Sequence, residues 1–476
     1  MFQKITKKSK DSNKWYEEVI EKAKLAEHSP VKGCMTIRPY GYALWENIQA
    51  ILDREIKEVG VKNAYFPLFI PKSFIEKEKE HVEGFAPECV IATEGGGKKL
   101  EESLVLRPTS ETIIYATFAK WIHSYRDLPL KINQWANIIR FEKRPRLFLR
   151  TIEFLWQEGH TVHTTEKEAE EMAKKALDLY YDFAKNYLAI ETMRGTKSES
   201  EKFAGALHSY AIEGLMSDGK ALQMGTSHNL GQEFAKVFGI KYLDKNNKEQ
   251  LAWQTSWGVS TRLVGAIILA HGDDKGLVLP PNVAPYQLVI VPIWKNDAER
   301  RKLKDKINQL VDDLDNSVRV KVEWQENLSP GFKFNKWELK GAPLRIEIGP
   351  KDLEKNQVVF ARRDSEEKQD VKLENISREV KGVLKDIQKN LLRKNQSFLR
   401  ENTRTASSYG ELKRVLEKRG GFVKASWCGD GKCEEKVKVE TKATIRVIPF
   451  KQPKKLGKCV CCGKSAKYEV IFAQAY

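Results

Sequence analysis

Two strand-like runs between Asn137 and Glu158 flank a charged loop, Lys143–Leu149, and no other feature constrains the fold as much. Side chains alternate across a strand. Arg140 and Glu142 therefore share one face of the outgoing run, and Arg150, Phe154 and Trp156 share one face of the return run. Charged residues repeated on one side of a sheet otherwise rich in Ile, Phe and Leu need either water or a charged ligand. A solvated face is the commoner cause in general. Here two arginines, a carboxylate and an aromatic ring converge, and a charged ligand is the better account. Gln254–Gly272 repeats the theme, reading as a turn that leads into a buried helix with Arg262 in its first turn, ahead of Leu263, Val264, Ile267 and Ile268. A cation at a helix start opposes the macrodipole, so Arg262 needs another reason for its position, and a bound anion supplies one.

A chain of 476 residues has room for about three domains at roughly 150 residues each. With 11 Trp, 15 Tyr and 20 Phe it is too aromatic to be disordered throughout. Its longest apolar runs, such as Val264–Ala270, fall far short of the roughly 18 residues a spanning helix needs, so no membrane role is expected. Met1–Lys24 is Lys-rich, carries acids from Asp11 onward and has no apolar signal region, which points to the cytoplasm. The net charge is +17, and it is unevenly placed: Lys381–Tyr476 holds 23 Lys and Arg against 9 Asp and Glu. A solvated basic tail would show this pattern, as would a C-terminal part that meets phosphates.

Five of the seven cysteines also lie in that tail. Cys428 and Cys433 form one hook, and Cys459 and Cys462 a second, with Cys461 as the odd thiol. Two such hooks make a tetrahedral four-thiolate cage for structural Zn²⁺. His160 and His163 resemble a metal pair, but three residues apart on an extended segment they point to opposite faces, and zinc is not expected there.

Elsewhere, Leu44, Ile48, Ile51, Leu52 and Ile56 predict a helix that stops at Val59–Gly60. Ala64–Ile70 follows as an apolar strand broken by Pro67, and Glu94–Leu100 as a Gly-rich hairpin tip that fails the phosphate-loop pattern. Thr165–Tyr187 is helical by pattern, and Gly276–Pro285 is the clearest linker. Beyond it, strands and helices alternate up to a long helix from about Asn375, which predicts a small α/β domain with a largely parallel sheet. Lys394–Ser408 reads as a polar join to the tail.

Taken together, these motifs resemble a class II aminoacyl-tRNA synthetase, and most closely the prolyl-tRNA synthetases of the archaeal and eukaryotic type, over essentially the whole chain. The helix, strand and Pro67 resemble motif 1, which builds the dimer interface in this class. Arg140-Phe141-Glu142 with Arg150–Phe154 resembles motif 2, and Trp257–Arg262 motif 3, which keeps only Gly258 of the glycines typical across the class. Arg107–Glu111, Phe154–His160, Phe203-Ala204-Gly205 and Gly225–His228 resemble proline-specific signals.

The resemblance implies a class II antiparallel-sheet catalytic core over residues 1–280, an α/β anticodon-binding domain over 286–394, and a zinc-binding α/β module over 395–476. It implies a homodimer that joins L-proline to tRNA(Pro) using ATP and Mg²⁺. For ATP it points to Arg140, Glu142, Arg150, Phe154, Gln223, Thr226 and Arg262. For proline it points to Thr109, Glu111, Arg140, Trp156, His160, Phe203, His228 and Ser256. For the anticodon it points to Glu338, Arg345, Lys351 and Asp352. Tyr476 resembles a terminal tyrosine that reaches back toward the active site. Many bacterial relatives insert an editing domain between motifs 2 and 3, but Gln157–Trp257 has no room for one. The rivals are a threonyl enzyme, which would be expected to carry catalytic zinc in its core, and a non-catalytic tRNA-binding relative, which should have lost the three arginines.

Overall fold

The computed structural model describes residues 4–81, 89–314 and 317–476. Six strands form the catalytic floor, in the order Thr192–Thr196, His208–Leu215, Ala221–Gly231, Trp253–Ser260, Glu153–His163 and Leu130–Ile139, and every neighbouring pair is antiparallel. The motif 3 segment expected as a turn is thus a central strand, Trp253–Ser260, and only then does the helix Arg262–His271 begin. Pairing on both sides explains the difference, since Gly258 faces Thr226 on one neighbour and Glu158 on the other.

One face of this floor is covered by the helix Glu166–Asn186. Its capping box at Thr165 and Glu168 fixes the start, and its buried stripe of Met172, Ala176, Tyr180 and Phe183 packs on the sheet. Gly159 shows how tightly the strands fit. A Cβ there would lie 2.2 Å from the Trp257 ring, so this strand position accepts no side chain. Gly60, at a φ of 80°, ends the helix Pro39–Glu58 as expected. Residues 64–68 do not form the expected strand. The chain makes only the short pieces Lys62–Asn63 and Phe69–Pro71 around Pro67, and Glu94–Leu100 is the expected hairpin tip.

The α/β domain carries a five-stranded sheet that is mixed rather than largely parallel. Leu288–Pro292 pairs parallel with Val320–Val322 and Leu344–Ile348, but Gln357–Arg362 and Lys368–Lys372 close the sheet antiparallel. The last strand, reading KQDVK, is too polar for periodicity to reveal. The join expected at Lys394–Ser408 is occupied by the end of the helix Ile376–Glu401 and the strand Thr403–Ala406. Its polar residues have partners: Asn395 Oδ1 accepts the Glu191 N–H at 2.8 Å, and Gln396 Nε2 donates to Glu191 Oε2 at 2.8 Å. The Cys-bearing module is not a separate sheet either. Its strand Thr444–Pro449 pairs with Thr192–Thr196 at Ile448↔Thr196, which extends the catalytic sheet to eleven strands. Among the described residues no helix is long and apolar enough to cross a membrane.

Gly159→Ala must displace Trp257 or the strand itself. A loss of about 1–3 kcal/mol is expected, read as a lower urea midpoint; an unchanged midpoint would show that the floor yields freely.

Candidate active site

A cavity of about 550 Å³ opens on the exposed face of the six strands, and all fourteen residues expected to meet ATP or proline line it. Strand alternation accounts for most of them. Phe154, Trp156 and His160 are even positions of one strand, and Ser256 is level with His160 on one side and His228 on the other. Alternation alone fails for Gln223, which would point away from Thr226 and His228. A β-bulge resolves this: Ile212 pairs with Gly225 and Glu213 with Gln223, so Met224 is the extra residue and the facing flips.

Three arginines gather at one end. Arg262 is the first residue of its helix, with Nη1 donating to the Gln223 carbonyl at 3.3 Å and Nε to the Leu149 carbonyl at 3.4 Å. Burial, with Arg140 and Arg150 close by, holds its guanidinium down to about 10, still protonated at neutral pH. Arg140 donates through Nε to the Pro108 carbonyl at 2.7 Å and lies 5.7 Å and 5.5 Å from the Phe154 and Trp156 ring centres. Arg140 and Arg150 stand beyond the strand ends, in the connection between Ile139 and Glu153. That loop is less polar than its charges suggested, because Leu147, Phe148 and Leu149 are buried and Tyr16 donates to the Leu147 carbonyl at 2.8 Å. Arg150 lies 3.7 Å from Glu142 and donates to the Tyr476 backbone oxygen at 3.4 Å.

The opposite end is lined by buried side chains, among them Thr109, Glu111, His160 and Ser256. Arg107, fully buried, donates to the Asn137 carbonyl, the Phe66 carbonyl and Asn137 Oδ1 at 2.7–2.8 Å, and so pins the turn that carries Thr109 and Glu111. Glu111 is buried and accepts the Thr109 hydroxyl. His160 Nε2 lies 3.0 Å from Glu158 Oε2 and Nδ1 lies 3.1 Å from the Tyr115 hydroxyl, so protein groups engage both ring nitrogens and the ring's carbon surface is what the cavity receives. His228 Nδ1 lies 2.8 Å from Ser209 Oγ, and its ring sits 4.9 Å from that of Phe203. Burial holds His228 down to about 3, so it is neutral at physiological pH.

A second cavity, of about 210 Å³, lies on the α/β domain and includes Glu338 and Arg345 but neither Lys351 nor Asp352. Arg345 bonds Glu347 at 2.8 Å, lies 3.4 Å from Glu338 and covers the Phe334 ring. Asp352 accepts the Gly349 N–H at 2.8 Å and so caps the helix Pro350–Glu354. In the tail, one sulfur each from Cys428, Cys433, Cys459 and Cys462 lies within 4.8 Å of the other three, with Cys428 3.7 Å from both Cys433 and Cys462. Tetrahedral zinc–thiolate bonds of about 2.3 Å place sulfurs roughly 3.8 Å apart, so the four residues fit that ion. This is the one such cluster among the described residues, and Cys461 stands outside it.

Comparison with known proteins meets this geometry at each part. The chain matches the class II tRNA synthetase core domain (G, H, P, S and T) over residues 92–271, an anticodon-binding domain over 287–382, and a prolyl-tRNA synthetase C-terminal domain over 409–476. It is 55% identical to a proline–tRNA ligase of Natranaerobius thermophilus, covering 99% of this chain and 98% of the relative. It is 51% identical to one from Porphyromonas gingivalis over 99% of both chains. The crystal structure of prolyl-tRNA synthetase from Cryptosporidium parvum, complexed with halofuginone and AMPPNP, superposes over the full length of both chains with a TM-score of 0.95 at 42% identity. The chain belongs to the prolyl-tRNA synthetase family. It is a proline–tRNA ligase with a class II core, an anticodon-binding domain and a C-terminal domain bearing a four-cysteine cluster. None of the three matching models describes an editing domain, and Gln157–Trp257 is filled by the helix and strands of the catalytic floor.

The sequence motifs of the family led to every expected cavity residue in the core, but several lining residues went unrecognised. Glu158 is the chief one. Almost fully buried, it also accepts from Ser110 Oγ at 2.5 Å and Gln134 Nε2 at 2.7 Å. Its even strand position, shared with Trp156 and His160, was the available signal. Lys197, Glu201 and Lys202 lie on a loop with no periodicity to read.

Three histidines, His163 buried and His228 and His271 half-buried, give the fold an acid sensitivity. Burial holds His163 and His271 down to about 4 and His228 to about 3, against an ordinary value of 6.5. The unfolded chain therefore takes up these protons first as pH falls. The stabilisation is complete above pH 6.5 and is lost as pH falls toward those lowered values. Urea midpoints should decline from pH 6.5 to 5, where most carboxylates remain ionised, and His271→Gln should flatten the decline. A flat wild-type profile would contradict the burial argument.

Proposed function

We propose that the two ends of the catalytic cavity divide the making of prolyl-adenylate. The reaction brings the proline carboxylate onto the α-phosphorus of ATP, with pyrophosphate leaving. Two anions must approach, so fixed cations do most of the work. Arg140, the one of the three that feels the Glu111 and Glu158 charges of the other end, serves both the proline carboxylate and the α-phosphate. Arg150 and Arg262 hold the outer phosphates, where the fork of a guanidinium suits phosphate oxygens. Mg²⁺ bound with ATP adds further neutralisation. Phe154 stacks on adenine, flanked by Glu142, Gln223 and Thr226. At the other end Glu111 balances the ring NH₂⁺ of proline, with Thr109 beside it, and Trp156, His160, Phe203 and His228 wall the ring above Ser256. The clustering of three arginines at one end and a buried carboxylate at the other carries this reading. In the second step the adenylate is attacked by a terminal ribose hydroxyl of tRNA(Pro), and AMP leaves.

In the α/β domain, Glu338 and Arg345 are the pair suited to anticodon guanines. A guanidinium can donate to O6 and N7, and a carboxylate can accept from N1–H and N2–H. Lys351 and Asp352 lie outside the cavity and are assigned to its approach. Zn²⁺ on Cys428, Cys433, Cys459 and Cys462 would be structural, since four thiolates leave no open position. We also infer a homodimer, supported by the aromatic side chains of Tyr65, Phe69 and Trp121, which stand 70%, 48% and 46% exposed. Its place of work is the cytoplasm, with its tRNA.

Pyrophosphate exchange tests the adenylate reading. Proline alone should support it without tRNA, and Arg140→Ala or Arg262→Ala should cost on the order of 10²–10³ in rate while the protein stays folded. Exchange untouched in Arg262→Ala would remove that residue from the site. Arg345→Ala should weaken aminoacylation by ~1–3 kcal/mol yet leave exchange intact, whereas equal loss in both would make Arg345 structural. Purified protein should hold about one Zn²⁺ per chain, lost in Cys459→Ser; metal-free protein prepared without chelator would rule the cage out.

A further inference from the structure

The segment 197–203 is the first part of the connection between the strands Thr192–Thr196 and His208–Leu215, and it brings Lys197, Glu201, Lys202 and Phe203 to the cavity wall. It has no regular structure of its own. Two backbone donors tie it to the next strand, Lys197 N–H to the Ser209 carbonyl at 2.8 Å and Phe203 N–H to Ser209 Oγ at 3.0 Å. Its two buried side chains reach instead into the Cys-bearing module. Ser198 Oγ donates to Glu434 Oε1 at 2.7 Å, and Lys197 Nζ donates to the Arg446 carbonyl at 3.0 Å.

Both module residues are themselves buried. Glu434 directly follows Cys433, and Arg446 lies on Thr444–Pro449, the strand that joins the module to the catalytic sheet. The Arg446 guanidinium meets Glu213 with Nη2 at 2.9 and 3.1 Å and Nε at 3.2 Å. Glu213 has no exposure and lies 3.5 Å from Lys197 Nζ. Joining two sheet halves needs no such network, because apolar side chains would do it without desolvating charges. Directional polar contacts give what apolar packing gives less well, a single defined loop geometry. Here they converge on the loop that carries Phe203.

We propose that the Cys-bearing module positions the proline end of the cavity, with Glu434 acting through Ser198 and Arg446 through Glu213 and Lys197. These are positioning residues, since they act through the loop. The inference rests on the placement of proline against Phe203 and His228.

The experiment is pyrophosphate exchange with full-length protein as purified, with KM measured separately for proline and for ATP and metal content measured in each variant. Ser198→Ala and Glu434→Ala should each raise the proline KM about tenfold, the scale of one lost charge-assisted hydrogen bond, and leave the ATP KM within about twofold. Glu434→Gln, which keeps an acceptor for Ser198, should restore the proline KM. The double variant Ser198→Ala/Glu434→Ala should be no worse than either single one. An unchanged proline KM in Ser198→Ala, a matching rise in the ATP KM, or additive losses in the double variant would overturn the proposal. Ser198 lies outside the module, so its result stands even if Glu434→Ala loses metal. Phe203→Ala separates the two levels of argument. If it leaves the proline KM unchanged, the placement of proline fails; if it raises the KM while Ser198→Ala and Glu434→Ala do not, only the role of the module fails.

Discussion

Three guanidinium groups sharing one small cavity repel each other, and much of the catalytic domain can be understood as the framework that holds them there. Arg262 bears the cost most visibly, with its proton affinity lowered by burial beside Arg140 and Arg150. Its anchors are the Leu149 and Gln223 carbonyls, one from the loop and one from a central strand. Arg140 is tied to Pro108, and Arg107 in turn fixes that turn to the end of the neighbouring strand. The loop between the strands is fastened from below by its buried Leu147–Leu149 and by Tyr16. An isolated loop of this charge would splay open. Apolar burial beneath it and carbonyl acceptors beside it keep the cations convergent before any phosphate arrives, which is the preorganisation that charge-stabilised transition states require.

Much of this was legible because chemistry restricts residue type more tightly than folding does. Arg140, Glu142, Arg150 and Arg262 stand out against the apolar pattern around them, Phe154 is marked by its convergence with them, and all line the cavity. Resemblance was needed for Gln223, since the bulge at Met224 reverses strand facing with no marker in composition. Glu158 carried a signal in its even position but was hidden by better-known neighbours, and its bonds to Ser110, Gln134 and His160 emerge only when three separate segments meet. The anticodon-domain sheet departs from the expected largely parallel order for a related reason. Lys368–Lys372 is a mostly exposed strand, and a strand that buries little leaves little periodicity to read.

The boundary between the anticodon domain and the tail shows a different limit. Its polar residues suggest a solvated join, because polar composition usually means solvent. Here Asn395 and Gln396 are polar because each meets Glu191 across an interface. Similarly, the pairing of Ile448 with Thr196 makes the Cys-bearing module an extension of the catalytic sheet rather than an appendage. Nothing in one strand's sequence names its partner, so long-range pairing of this kind comes from the fold as a whole.

The chemistry of the proposed proline end also sets what it can and cannot reject. His160 has both ring nitrogens engaged by Glu158 and Tyr115, and His228 has its Nδ1 engaged by Ser209. On the proposed placement of proline, most of the wall therefore presents carbon surface. A threonine hydroxyl entering there would leave water for a wall that is mostly carbon, a loss that a purely apolar pocket imposes only modestly, by about 10² in rate. Alanine faces no such penalty. It fits wherever proline fits and forfeits only the contacts of the missing ring carbons, about 1–3 kcal/mol for each methylene. The wall excludes by polarity more than by size, so fidelity against small amino acids depends on how closely Phe203 and Trp156 are held to the ring. In this fold that closeness depends on the loop 197–203 and on whatever fixes it.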